Sequence, residues 1–453
     1  MARDYSRVII AGWHHDANKG DAAITCALAT RLHESLKKTR VAVQLSVHNE
    51  SPAAHGALRF VGQHPVVCPR PLSSFFRFDS TWPSGLRRWV VAALDLVRAV
   101  VLLLAPSLGD VLLARAEQRT LAWYRRCSGV IGKGGHYLYY RGSVRSFAGL
   151  FVQLYPFLLA WRLGKPYALV GVSLGPFKGG IVPRVVGTVL GSAVGISVRE
   201  SDSAVVLGKL LERAGRNEVE VSVVPDYAFL RGYMQTDRPN RIDRGKGKGD
   251  YEQPFAVIVP RSRFPEPSSK HIERAYRRGM AEMADFLIEQ NGLKVLLMFT
   301  ALSTGGTAED DRDVARDILM LMNASDECSL IEEDLKPSEV IAFLRRAELV
   351  IGTRLHANIF AVIAGVPFLA IDYFGPKIGA LKVACCNNQI FTLEGFTRAD
   401  TLRRLKRVAT LSMDRREPLG SYLKEVRGKA SNGVRRDPVF AAWIESILRV
   451  TVE

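Results

Sequence analysis

Strands and helices alternate through most of this 453-residue chain, and that alternation limits the fold more than any single residue does. Apolar runs at 8–11 and 41–47 have strand length, and the segment between them, 21–36, has helical spacing. The rhythm resumes at Gly129-Val130-Ile131, with strands expected at 167–172, 195–198 and 219–224 and helices at 147–163 and 201–213. A polar stretch, 236–253, interrupts it, with Gly245-Lys246-Gly247-Lys248-Gly249 at its centre. Such composition marks a flexible linker or surface loop. Strands are then expected at 255–259, 294–298, 328–331, 347–352 and 368–371, with helices at 271–290 and 308–321. Consecutive strand–helix units build parallel sheets covered by helices on both faces. The expectation is an α/β protein of two Rossmann-like parallel-sheet domains facing a cleft, with ligands at the carboxyl ends of the strands. The expected divisions are 1–235, with an irregular insertion near 50–125, the linker 236–253, a second domain 254–395, and basic C-terminal helices over 396–453.

Two cleft-facing domains of this kind are the GT-B-like arrangement. The chain length and its 47% hydrophobic content suit two cores. Lys and Arg total 62 against 45 acids, a net charge of +17, which favours acidic partners such as phosphorylated metabolites or an anionic membrane surface. Nucleic acid is set aside, because the basic residues are scattered and no zinc-finger, RNA-binding or basic-zipper pattern occurs. Cysteines at 26, 68, 127, 328, 385 and 386 form no C-x-x-C pair, so a reducing compartment is expected, with no disulfide framework or zinc site. The first residues, Met1-Ala2-Arg3-Asp4-Tyr5, lack a signal-peptide layout, and the cytoplasm is the expected location. Segment 89–106 is apolar but is interrupted by Asp95 and Arg98. It is short for a spanning helix, and reads either as a helix lying on the inner face of the plasma membrane or as a buried core helix.

The junctions between strands and helices carry the chemistry. Ile351-Gly352-Thr353-Arg354-Leu355-His356 passes from a strand into a helix, with Thr353 expected as the N-cap. A helix N-terminus at a strand end attracts anions before any side chain is added. Arg354 adds a cationic fork, and His356 a group that exchanges protons near neutral pH. Asn18-Lys19-Gly20-Asp21 follows the first strand, and Gly132-Lys133-Gly134-Gly135-His136 follows 129–131. Arg199 and Asp226 end two further strands, and Asp372-Tyr373 ends another, with Lys377 beyond. The acids Glu309-Asp310-Asp311 open a helix, where the helix dipole alone accounts for them.

Asn18-x-Gly20-Asp21, Gly134-Gly135, Ser197-Val198-Arg199, Pro225-Asp226, Thr353-Arg354-Leu355-His356 with Ala364-Gly365-Val366-Pro367, and Asp372-Tyr373 with Lys377 resemble, in order, the polysaccharide pyruvyl transferase family. That resemblance implies a GT-B-like fold and transfer of a pyruvyl group from phosphoenolpyruvate to a sugar of a cell-surface polysaccharide or glycolipid. The product is a ketal bridging two hydroxyls, with phosphate released. It implies donor binding by Arg199, Arg354, His356 and Lys377, with the second domain on the donor side and the first on the acceptor side. Catalysis would fall to His356 and Arg354, and Asn18, Gly20, Asp21, Gly134, Gly135 and Asp226 would complete the substrate contacts. No metal or further cofactor is required. The chain departs from the family pattern at Lys133 and His136 in the glycine turn, and in the length of 50–125; both departures bear on the acceptor, a saccharide or lipid-linked saccharide.

The residues fit that chemistry independently. Phosphoenolpyruvate carries a carboxylate and a phosphate, which several arginines and a lysine can neutralise. His356 is then either the proton donor to the methylene carbon or the partner of the departing phosphate. Two other readings stand beside it: a GT-B glycosyltransferase using a nucleotide sugar, and a non-catalytic membrane-surface or glycan-binding protein.

Overall fold

A computed structural model describes residues 6–14, 18–36, 39–45, 60–61, 64–67, 86–230, 253–262, 264, 269–302, 310–373, 379, 381 and 389–450. Nearly all of the expected linker, most of 50–85, Lys377 and the Cys385-Cys386 pair lie outside the described residues.

The first sheet contains β1 (Ser6–His14), β2 (Thr39–Leu45), β3 (Phe60–Val61), β4 (His64–Val67), β5 (Gly129–Gly132), β6 (Gly135–Tyr140), β7 (Tyr167–Phe177), β8 (Gly195–Val198) and β9 (Glu220–Val223). Its order is β3-β4-β2-β1-β5-β7-β8-β9, with β6 paired to β7. Only β3 and β4 pair antiparallel. The second sheet contains β10 (Phe255–Val259), β11 (Lys294–Leu297), β12 (Cys328–Leu330), β13 (Leu349–Gly352), β14 (Phe368–Asp372) and β15 (Ile390–Thr392). Its order, β12-β11-β10-β13-β14-β15, is doubly wound and parallel throughout. The expected two-sheet α/β architecture is therefore present. Central strands such as 255–259 are apolar at every position and buried at every position, because helices cover both faces.

Strand order reverses between β1 and β5 in the first sheet and between β10 and β13 in the second. Register pairs Ala11 with Gly132 and Val259 with Gly352, so the carboxyl ends at each reversal lie side by side. Such switch points open a crevice for ligands.

The helices described are α1 (Lys19–Ser35), α2 (Leu86–Leu104), α3 (Gly109–Leu112), α4 (Arg115–Arg126), α5 (Val144–Arg162), α6 (Ile181–Leu190), α7 (Ser201–Ala214), α8 (Lys270–Glu289), α9 (Asp311–Leu321), α10 (Pro337–Leu344), α11 (Leu355–Ala364), α12 (Ala399–Asp414), α13 (Arg416–Arg435) and α14 (Pro438–Val450). The insertion expected to be irregular near 50–125 is helical from 86 onward. Two of its arginines are paired locally: Arg98 bonds Glu117 at 2.8 Å and Arg125 bonds Asp110 at 3.0 Å. Glu117 also accepts from the Ala114 amide at the start of α4.

One buried apolar cluster crosses from the first half to the second, running from Ile10, Ile24 and Leu28 through Tyr227 and Phe229 to Leu355 and Ile359. The chain then returns to the first sheet. Asp437, just before α14, accepts from Ser197 Oγ at 2.6 Å and from Tyr227 Oη at 2.7 Å. Arg31 donates to Tyr227 Oη at 2.8 Å and to the Arg435 carbonyl at 2.9 Å. Trp443 of α14 is fully buried in the same cluster. Replacing Trp443 with Ala should cost about 3–5 kcal/mol by opening a cavity. Limited proteolysis should then release the C-terminal helices, whereas unchanged melting and protease resistance would show that α14 does not secure the first sheet.

Candidate active site

The cleft is built where α1 and α11 begin. After β1 the chain turns at Asn18, whose Oδ1 accepts from the Gly20 and Asp21 amides at 3.1 and 3.4 Å. The Asn18 backbone bridges to Ala301 of the second half, and the Lys19 amide donates to the Thr300 carbonyl at 2.9 Å. The buried Lys19 ammonium forms an ion pair with Asp334. Gly20 has a specific reason to lack a side chain. A Cβ there would fall 2.0 Å from His356 Nδ1, so the imidazole of the second half lies directly on the backbone of the first.

On the other side, β13 ends at Gly352. Thr353, expected as the N-cap, instead pairs its hydroxyl with Tyr276 Oη at 2.7 Å. Arg354 occupies the cap position without a side-chain cap. Asn358 closes the turn, donating to the Gly352 carbonyl at 2.9 Å. The Arg354 guanidinium grips Asp311 through two bonds, Nε to Oδ2 at 2.9 Å and Nη2 to Oδ1 at 2.7 Å. Asp311 is fully buried and also accepts from the Ser262 amide at 3.0 Å. A carboxylate held by a fork and an amide fixes the arginine in orientation.

Arg199 is buried at the end of β8. It donates to Ser173 Oγ at 2.6 Å and to Asp226 Oδ2 at 2.7 Å, with Glu200 at 3.4 Å. Burial opposes the Arg199 charge, yet Asp226 and Glu200 raise its pKa above the ordinary value. Burial pushes the Glu200 carboxyl up, against the pull of Arg199 and the hydroxyls of Ser203 and Ser173. Asp226 goes the other way. Burial acts to raise it, but His356, Arg199 and the Ala228 amide together hold it well below the carboxylate range. His356 Nε2 lies 3.7 Å from Asp226 Oδ2, too far for a hydrogen bond, and this buried nitrogen has no hydrogen-bond partner.

The cleft between these groups holds about 290 Å³. Of the residues singled out in the sequence, Asn18, Asp21, Gly135, Arg199, Arg354 and His356 line it. Gly20, Gly134 and Asp226 stand behind its walls. Gly134 lets the chain pass close to β7, where a Cβ would meet the Gly171 carbonyl at 2.8 Å. Lys377 lies outside the described residues. Lys133 lines the cleft with its ammonium on Asp21 at 2.9 Å. Sequence reasoning misses Arg261, which follows β10 at the switch point. Its guanidinium lies 4.3 Å over the Tyr373 ring and donates to Tyr373 Oη at 2.9 Å. The position of β10 as first strand of its sheet is the signal that could have found it. Sequence reasoning also explains Asp311 by the helix dipole and misses its bond to Arg354, 43 residues away. Among the described residues no His, Cys, Asp and Glu cluster is arranged to hold a metal ion.

Residues 18–375 match the family described as polysaccharide pyruvyl transferase. The chain belongs to that family. A curated relative, the amylovoran biosynthesis protein AmsJ of Erwinia amylovora, is 25% identical over 229 residues. The match covers 50% of this chain and 53% of that protein, so the chain spans about half the length of this relative. Solved structures share the fold. An α,α-trehalose 6-phosphate synthase from Burkholderia multivorans aligns with TM-score 0.56 at 14% identity, over 99% of this chain and 98% of that one. A UDP-GlcNAc 2-epimerase from Neisseria meningitidis aligns with TM-score 0.52 at 9% identity, over 98% and 100%. At such identities the likeness establishes a GT-B fold and says nothing of the reaction.

Two outcomes follow from the family's Asn-x-Gly-Asp and Pro-Asp segments as they pack here. Gly20→Ala should destabilise the protein through its clash with His356, and should cost far less when combined with His356→Ala. Equal costs in both backgrounds, read by thermal melting, would show that the two positions do not touch. Asp226→Asn leaves Arg199 buried without its main counter-charge, a loss of about 3 kcal/mol. The folded pKa of Asp226 is depressed, so its stabilisation is complete above the unfolded pKa of about 3.9 and fades as pH falls below it. The melting-temperature gap between wild type and this variant should therefore be constant from about pH 5 to 8 and shrink toward pH 3, and a gap that widens on acidification contradicts the assignment.

Proposed function

We propose that this chain transfers a pyruvyl group from phosphoenolpyruvate to two hydroxyls of a saccharide, forming a ketal and releasing phosphate. The observation that carries the reading is the gathering of Lys133, Arg199, Arg261 and Arg354 around one small cleft, with His356 at its wall. A donor bearing a carboxylate and a phosphate needs several fixed cations, and these four are held by partners before any ligand binds. The N-termini of α1 and α11 converge there as well and favour negative charge.

In the proposed reaction, a proton moves to the methylene carbon of the donor and makes C2 electrophilic. A sugar hydroxyl adds to C2, and the bond from C2 to the phosphate oxygen breaks. A second hydroxyl adds to C2 and closes the ketal. Of the two hydroxyl protons, one replaces the proton given to carbon and the other leaves with phosphate. His356 serves either as donor of the first proton or as partner of the departing phosphate. Asp21, the carboxylate that lines the cleft, is assigned to the acceptor hydroxyls. Asp226 is a positioning residue, acting through Arg199 and His356. Lys377 is assigned to the phosphate on the strength of the family pattern. No metal or further cofactor takes part.

A saccharide acceptor is supported by the family description and by the relative named for amylovoran biosynthesis, and a lipid-linked saccharide is proposed within that class. The work would be done in the cytoplasm, on a precursor of the cell envelope.

Supplied with phosphoenolpyruvate and a glycolipid extract, the protein should release phosphate and yield a product heavier by a pyruvate ketal. His356→Ala should slow this by about 100-fold or more while the protein remains folded, and Arg354→Lys should also be severe because an ammonium does not reproduce a fork. Near-full phosphate release by His356→Ala removes the histidine from the chemistry. Nucleotide release from UDP-sugars, with phosphoenolpyruvate untouched, replaces the proposal with glycosyl transfer.

A further inference from the structure

We propose that the helical insertion from α2 to α4 is a docking surface for an anionic lipid bilayer. Among the described side chains, the outward face of α2 is apolar from Val90 to Leu104. Leu94, Val97 and Leu104 are 63, 59 and 70% exposed, and Val111 in α3 is 84% exposed. The opposite face of α2 is packed: Ala99 and Leu102 are buried, the Ala99 carbonyl accepts from Tyr155 Oη of α5 at 3.2 Å, and the Leu104 carbonyl accepts from Arg162 at 3.0 Å. Arg98, a charge that interrupts the apolar run in sequence, turns away from the outward face and bonds Glu117. The helix thus keeps its outward side hydrophobic while Arg98 is paired with Glu117 inside the fold.

Charge selects the occupant. Between 86 and 126 there are seven arginines and three acids, and two of the acids are already paired with Arg98 and Arg125. Arg115, Arg119 and Arg126 are exposed. A second copy of the chain would bring the same arginines against each other across a two-fold contact. A bilayer with anionic headgroups takes the apolar stripe into its interface and neutralises the flanking arginines. Among the described residues no helix is long and apolar enough to cross a membrane, so the contact is with one leaflet only. It requires no particular donor chemistry in the cleft.

The test is flotation of the full chain with vesicles of phosphatidylcholine, with and without phosphatidylglycerol. The chain should float with the anionic vesicles, and less so at high salt. Leu94→Glu combined with Val97→Glu should weaken binding about tenfold or more at unchanged melting temperature, since both side chains are exposed. Turnover on a water-soluble acceptor should not change. Failure to float with anionic vesicles overturns the proposal, as does unaltered binding by the variant. Sedimentation showing a wild-type dimer that the variant converts to monomer assigns the face to self-association instead.

Discussion

Everything in the cleft depends on the buried charge of Arg199. A guanidinium taken out of water is tolerated only with a close counter-charge and its donors satisfied. Here that counter-charge is Asp226, which is itself fully buried and shared with His356 of the other half. One carboxylate therefore faces a guanidinium from one sheet and an imidazole from the other. The arrangement holds only if strand β8, the turn after β9 and the first turn of α11 keep their relative positions. The apolar cluster spanning the two halves, together with the Lys19–Asp334 pair and the Asn18–Ala301 bridge, does that. Packing and electrostatics reinforce each other at the same junction.

Topology explains why the functional groups meet. Each sheet reverses its strand order once, and at each reversal two strand ends lie in register. Lys133 follows β5 at the first reversal; Arg261 and Arg354 follow β10 and β13 at the second. The two helices that begin at these reversals touch through Gly20 and His356. The absence of a side chain at residue 20 thus serves contact between the halves, a reason that a glycine at a helix start does not disclose by itself.

The alternation of strand and helix was legible because parallel strands buried on both faces leave continuous apolar runs, as at 255–259. Cationic residues at strand ends were legible for the same reason, since Arg199 and Arg354 stand out against such runs. Short amphipathic elements were less visible: β6, α6 and α10 carry no long apolar run, and the arginines of α4 mask its helical spacing, whereas the apolar run at 89–106 disclosed α2. Partnerships were the least visible. Asp311 had a sufficient local explanation in the helix dipole, and that explanation hid its grip on Arg354. Thr353 looked like a cap, but a tyrosine from α8, 77 residues away, claims its hydroxyl. Local physics sets the element; which distant group a polar side chain finds is decided by the fold.

The partnerships also bear on how the cleft selects an anion. The cations Lys133, Arg199 and Arg354 are paired with Asp21, Asp226 and Asp311. The site is therefore much closer to neutral than its cationic lining implies. A cleft of unpaired cations would take up any polyanion and would pay for it in repulsion among its own groups. Paired cations avoid that repulsion and are already oriented, so a ligand gains from them only where its oxygens meet the directions the carboxylates leave open. Under the proposed reaction this favours a donor with a carboxylate and a phosphate at fixed separation over a free phosphate. It also lets the product phosphate leave once the bond to C2 has broken, because the second anchoring point goes with the ketal.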